Sequence, residues 1–214
     1  MKYSYQTLIE NRDYEAALKS VFEHIEIAPD NVDHYINGAI LLQKFSEIEK
    51  AEVFLQRAIT IDENSFLALY TLGNLYYEND RFEEAIKIYL RAYSSNPTDS
   101  DLNYMIAMCY INMNQQKMAL PFFETAYQSS RHDIDIMMQY GLACCHLELY
   151  AQGEVLFTAI NDIEENADAY YNLGLISMME DDNQTAQSHF EHAVKIQPDH
   201  YLALNGLKNL QDKE

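Results

Sequence analysis

Alanine returns every 34 residues, at Ala17, Ala51, Ala85 and Ala119, and a second series at Ala58, Ala92 and Ala126 keeps the same interval. A third series, Gly73, Ala107, Gly141 and Gly174, advances by 34, 34 and 33. A period of this length imposes a repeat architecture, because each copy is one supersecondary unit that must bury its apolar face against a neighbour. One residue is lost once. Ala126, Ala159 and Ala193 step by 33 and 34, so the loss is expected in the turn around Leu147 to Gly153 or at the start of the following helix.

Only six Gly and four Pro occur among 214 residues, too few for the turns of an all-β fold or the glycine-rich loops of nucleotide-binding α/β folds. With 48% of the residues apolar, an all-α fold with a real core is expected. The small residues let paired helices approach closely, and the Leu and aromatic places fill the space between them. Each pair leaves an apolar face that only the next pair covers, so the array is a solenoid.

The best copy reads Leu69, Leu72, Gly73 and Tyr76, then Ala85, Tyr89, Ala92 and Pro97, and it resembles the tetratricopeptide repeat. Tyr170, Leu173, Gly174, Ala186, Phe190, Ala193 and Pro198 match almost as well. The strings 119–123, 167–172 and 196–204 also resemble the small all-repeat YrrB-type proteins of Bacillus-like bacteria, from which no chemistry carries over. The resemblance implies one right-handed α-solenoid over 1–214: helix pairs at 1–31, 32–65, 66–99, 100–133, 134–166 and 167–200, and a polar capping helix over 201–214. The first pair has a clipped first helix, Met1 to Asn11, before Tyr14 to Ile27. Asp30, Asp99 and Asp199, and an Asp80/Glu83 box, are expected to cap helix starts. Pro121 falls inside a second helix and is expected to bend it.

Acidic side chains outnumber Lys and Arg by 34 to 14, a formal charge of −20, which repels a phosphate backbone and argues against direct nucleic-acid binding. No apolar run approaches a membrane span or a signal-peptide core. Three cysteines, Cys109, Cys144 and Cys145, form no disulfide framework, as expected of a reducing cytoplasm. Phosphate-loop, esterase and zinc-protease motifs are all missing, so neither an enzyme nor a cofactor is expected. Cys144, Cys145 and His146 point about 100° apart on a helix and cannot converge on one metal. His189 and His192 lie on one helical face, where solvated surface histidines are the ordinary outcome. No metal site is expected.

In the family that this chain resembles, first helices line the concave face, so phase places Ile36, Asn37 and Ile40 there, then Tyr70, Thr71, Asn74 and Tyr77. Tyr104, Met105, Met108 and Ile111 follow, then Met138, Gln139, Leu142 and Cys145, then Tyr171, Asn172, Leu175 and Met178. Random placement would make about one in five of these charged; hardly any is. Asn37, Gln139 and Asn172 share one repeat place, and amides offer a donor and an acceptor to an extended peptide backbone. Ordinary polar surface is the competing explanation. Asp33, Asp101, Asp135 and Asp168 recur at first-helix starts, either as an acidic rim selecting basic flanks or as first-turn carboxylates favoured by the helix dipole. A basic clamp for a C-terminal carboxylate is missing, since Lys2 and Lys44 form no constellation.

The expected function is a non-enzymatic adaptor, assembly factor or chaperone holding an extended or helical partner segment in the concave groove. Two alternatives stand beside it: a scaffold that self-associates weakly by stacking through its N-terminal end, and an accessory subunit of an enzyme.

Overall fold

A computed structural model describes residues 3–211, which contain thirteen α-helices and no strand. The backbone falls into two compact units divided between Leu102 and Asn103. The first holds α1 (Ser4–Glu10), α2 (Tyr14–Ile27), α3 (Val32–Lys44), α4 (Ile48–Ile61), α5 (Phe66–Glu78) and α6 (Phe82–Tyr93). Helix α7 (Ser100–Asn112) spans the divide. The second unit continues with α8 (Gln116–Ser129), α9 (Ile134–His146), α10 (Tyr150–Ile163), α11 (Ala167–Met179), α12 (Asn183–Ile196) and α13 (Tyr201–Gln211). Within each unit the helices pack in chain order, and α3 also touches α5 as α11 touches α13. Each unit is thus a stretch of α-solenoid. The last three residues assigned to the capping helix lie outside the described residues.

The expected small and large places meet across each helix pair. A Cβ built on Gly73 would fall 2.2 Å from Tyr89 Cε1, on Gly141 2.7 Å from Phe157 and on Gly174 2.5 Å from Phe190. The same two places hold Ala107 with Phe123, Ala39 with Leu55 and Tyr5 with Val21, all fully buried. As the first residue grows the second shrinks, which keeps interhelical volume filled without overpacking.

Every turn inside a helix pair closes the same way. Arg12, Ser46, Asp80, Asn114, Glu148 and Asp181 all take φ of 57° to 60°, and the two amides at and after each bond back into the preceding helix, as Glu148 N does to Cys145 O and Leu149 N to Cys144 O. These are Schellman closures built without glycine. They also correct the position of the lost residue. Asn114 to Glu148 is 34 and Glu148 to Asp181 is 33, so the deletion lies between α10 and α11, not in the turn around Leu147 or at the start of α10. The buried equivalent of Ala126 is Ile160, while Ala159 is only half-buried; Ala159 serves helix propensity, and its spacing misled the alignment.

Capping differs in detail. Asp99 Oδ1 accepts from Leu102 N at 2.8 Å, as expected. At α3 the cap is Asn31, not Asp30, and at α13 it is the ring of His200, not Asp199. Asp80 caps nothing, because its left-handed backbone belongs to the Schellman turn. Arg81 occupies that helix start instead and bonds both Glu84 and Glu52 while lying over the Tyr76 ring. Helix α8 continues through Pro121.

The clipped first pair has its own anchor. The rings of Tyr3, Tyr5, His24 and His34 interlock with centroids 4.7 to 5.6 Å apart. Tyr5 Oη bonds His34 Nδ1 at 3.0 Å, and Asn31 Nδ2 donates to Tyr3 Oη at 2.8 Å. The aromatic contacts and hydrogen bonds together pin a seven-residue helix that could not stand alone.

Candidate functional site

The first-helix face is described unit by unit. In the first unit Asn37 and Tyr77 are half-buried and Ile40 is exposed. Ile36 and Thr71 are not on the surface: both are buried, and Thr71 Oγ1 is spent on Leu67 O. Tyr70 stacks on Phe66 and leans on Tyr89, and Tyr77 meets Phe82 edge-on. Asn74 Oδ1 accepts the Tyr89 hydroxyl at 2.6 Å. Asn74 therefore braces the Tyr89 side chain, a role invisible to phase. Burial, followed by Asp101 and Asp99, raises the Tyr70 pKa.

In the second unit Tyr104, Met108, Met138, Leu142 and Cys145 rest half-buried on the apolar core. Tyr171 and Leu175 rest on the core formed by Phe190 and Ala203, and Met105, Gln139 and Asn172 are half-buried. Between α9 and α11 the face deepens into a cavity of about 270 Å3, lined by Leu142, Cys145, His146, Tyr150, Asn172, Leu175, Ile176 and Met179. Leu142, Cys145, Asn172 and Leu175 were legible from phase. His146, Ile176 and Met179 lie four residues beyond Leu142, Asn172 and Leu175, on the same helical stripe, so continuing the stripe one turn would have found them. Tyr150 comes from a second helix, which phase assigned elsewhere.

The amides are oriented, and this changes their chemistry. Asn172 Nδ2 donates to Asp168 O at 2.7 Å, and Asn37 Nδ2 donates to Asp33 O at the same distance. Both NH2 groups are turned onto their own helices, whereas both Oδ1 atoms accept no hydrogen bond among the described residues. One N–H of each amide is thus spent on its own helix, which leaves Oδ1 and the second N–H at these two places for a ligand. Gln139 has no hydrogen bond among the described residues, so its amide is uncommitted.

Asp33, Asp101, Asp135 and Asp168 all stand exposed in first helical turns. Asp168 is further engaged: His200 Nε2 lies 3.1 Å from its Oδ1. Since His200 Nδ1 accepts from Ala203 N, the ring proton sits on Nε2 and is donated to Asp168. Lys2 lies outside the described residues.

Among the described residues no three His, Cys, Asp or Glu converge as a cation site would need, and no helix is long and apolar enough to cross a membrane. His189 and His192 instead flank the Tyr170 ring. Burial pushes the Cys144 thiol up to about 12 and raises that of Cys145, leaving both as unreactive packing groups at neutral pH.

Models of the tetratricopeptide repeat match residues 54–87 and 167–200, and a model of the anaphase-promoting complex, cyclosome, subunit 3 matches residues 78–160. The chain contains tetratricopeptide repeats. It is 28% identical to the TPR repeat-containing protein YpiA of Bacillus subtilis over 59% of this chain and 30% of that protein. It is 26% identical to the human protein O-mannosyl-transferase TMTC3 over 85% of this chain and 20% of that one. It therefore spans less than a third of either relative. Among solved structures, YrrB, described as a tetratricopeptide-repeat protein with an unusual peptide-binding site, superposes with a TM-score of 0.80 at 28% identity, covering 88% of this chain and 97% of YrrB. PilF of Pseudomonas aeruginosa, at 18% identity and a TM-score of 0.76 over 98% of this chain and 94% of its own, shares the fold.

Proposed function

We propose that this tetratricopeptide-repeat chain is a non-enzymatic interaction module that holds a segment of another protein on its first-helix face, with the α9–α11 cavity as the anchor point. The observation that carries the reading is the pairing, in one cavity, of apolar walls with an amide whose Oδ1 accepts no hydrogen bond among the described residues: Leu142, Leu175 and Met179 beside Asn172. The apolar walls take one large side chain, the thioether adapting to its shape. Asn172 takes an N–H of the same segment, and Gln139 extends the grip. Asp135 and Asp168 at the helix starts favour basic flanks and faster association. The peptide-binding site ascribed to YrrB supports a peptide as the ligand class. Three free thiols and the strong acidity suit a reducing cytoplasm without nucleic acid as a direct partner.

The test is selection of a random peptide phage library on the immobilised chain, followed by binding of the enriched peptides to Met179→Lys, Asn172→Ala and the second-helix control Lys195→Glu. Enrichment of peptides with one large apolar residue near basic residues, lost with Met179→Lys and kept with Lys195→Glu, is expected. No enrichment, or peptides bound equally by all variants, would overturn the assignment.

A further inference from the structure

The first unit carries an apolar groove on a different face, between the second helices α2 and α4. Two adjoining cavities of about 490 and 330 Å3 share Phe22, Leu42 and Lys50 as walls. Phe22 is 44% exposed and Val53 61%. The repeat supplies an internal control for whether the fold needs them. At the place of Phe22 the later copies carry Gln56, Leu90, Glu124, Thr158 and Glu191, and at the place of Val53 they include Lys87 and Ser188. Polar residues satisfy the same helix elsewhere, so an exposed aromatic here is not a packing requirement. Phe22 is also held in place, its ring meeting Phe54 edge-on at 5.8 Å.

The charges around the groove indicate what covers it. Its charged walls are Glu15, Glu47 and Glu49 against Lys19 and Lys50, and Lys50 already bonds Glu47 at 3.0 Å. That is three to two, in a chain where acids exceed bases by 34 to 14. Two copies of so acidic a chain repel over most of their surface and repel less here, where the charges nearly balance. A basic segment would meet Lys19 and Lys50, and an acidic one would be kept away by the whole molecule. The matching ligand is a helical ridge reading acid, apolar, base, apolar. Helix α2 carries that ridge itself: Glu15, Leu18, Lys19 and Phe22 share one face at spacings of three and four. A surface that is both groove and matching ridge meets the condition for a two-fold, self-complementary contact.

We propose that the α2–α4 groove receives the α2 ridge of a second copy of this chain, and reciprocally, in a two-fold dimer. Phe22 of each copy enters the groove of the other, and Lys19 faces Glu49 across the axis. This surface is separate from the α9–α11 cavity, so either assignment can fail without the other.

Sedimentation velocity of the full chain over a concentration series tests it, with circular dichroism confirming that each variant is folded. The wild type is expected to dimerise reversibly, and Phe22→Glu to weaken association at least tenfold, because a carboxylate cannot enter the groove unpaired. Lys19→Glu and Glu49→Lys should each weaken the homodimer, while an equimolar mixture of the two recovers a dimer, since every cross-axis pair is again opposite in sign. Met138→Glu, in the other unit, should leave dimerisation unchanged. A monomer at every concentration, a dimer that persists in Phe22→Glu, a mixture that fails to recover, or equal loss with Met138→Glu would each overturn the proposal. So would a monomer whose groove instead takes a different protein.

Discussion

The ring of Tyr89 occupies the space a Cβ on Gly73 would need, 2.2 Å from the nearest ring carbon. The contact cannot open locally, because the Tyr89 hydroxyl is also tied to Asn74 at 2.6 Å. Gly73→Ala should therefore destabilise the protein by about 1–3 kcal/mol through overpacking. The natural pairing of Ala39 with Leu55 at the same two places indicates the remedy. Adding Tyr89→Leu to Gly73→Ala should recover part of the loss, and urea denaturation of the single and double variants measures it. Additive losses would show that the two places do not share a volume.

A second prediction comes from the left-handed turns. Glu148 holds φ at 60°, a conformation that crowds its Cβ and that glycine adopts freely. Glu148→Gly should stabilise the protein by about 0.5–1 kcal/mol despite the added freedom of the unfolded chain. Asn114→Gly, at φ 58°, should gain less, because asparagine tolerates this region better. Thermal denaturation of both variants compares them directly.

The period made the order and phase of the helices legible, because a 34-residue interval constrains every copy at once. Where a single copy departs from the period, legibility failed. Ala159 imitated a core alanine and displaced the deletion by a turn, although Ile160 is the buried residue. The Tyr3, Tyr5, His24 and His34 cluster was missed because the clipped pair has no counterpart to align with. At the candidate cavity, phase placed Leu142, Asn172 and Leu175 but did not reveal that Asn74 Oδ1 holds the Tyr89 hydroxyl. Which way an amide faces depends on a carbonyl four residues back, and residue type alone does not record that.

The same cluster sets the pH range of the first unit. Burial, then His24, lowers the His34 pKa against the opposing pull of Asp33, so the folded state binds its proton later than the unfolded state. Stability from this site is present above the unfolded value of about 6.5 and declines as pH falls below it. Tyr5 runs the other way: burial, with Tyr3 and Asp33, pushes it up to about 12. Its contribution is present below the unfolded value of about 10 and is lost as pH rises from there toward 12. Amide hydrogen exchange in α1 should therefore show greatest protection between about pH 6.5 and 10, after correction for intrinsic rates. His34→Gln should flatten the acid limb while leaving the alkaline one. Unchanged acid sensitivity in that variant would remove His34 as the cause.

The last prediction separates an acceptor from an amide. Asn172 turns its NH2 group onto Asp168 O and leaves Oδ1 for a ligand. If that oxygen accepts an N–H from a bound segment, removing it should cost about 0.5–1.5 kcal/mol, a two- to tenfold loss of affinity. Asn172→Ala removes it; Asn172→Asp keeps an acceptor and strengthens it toward a charged donor. With peptides enriched from the phage library, calorimetry should show weaker binding for Asn172→Ala and equal or tighter binding for Asn172→Asp, the gain shrinking as salt rises. Loss in both variants alike would mean that the ligand uses the second N–H of the amide rather than its oxygen. Met179→Lys serves as the apolar counterpart: it replaces a thioether wall of the cavity with a solvated ammonium that an apolar ligand side chain would have to desolvate, and should weaken binding strongly.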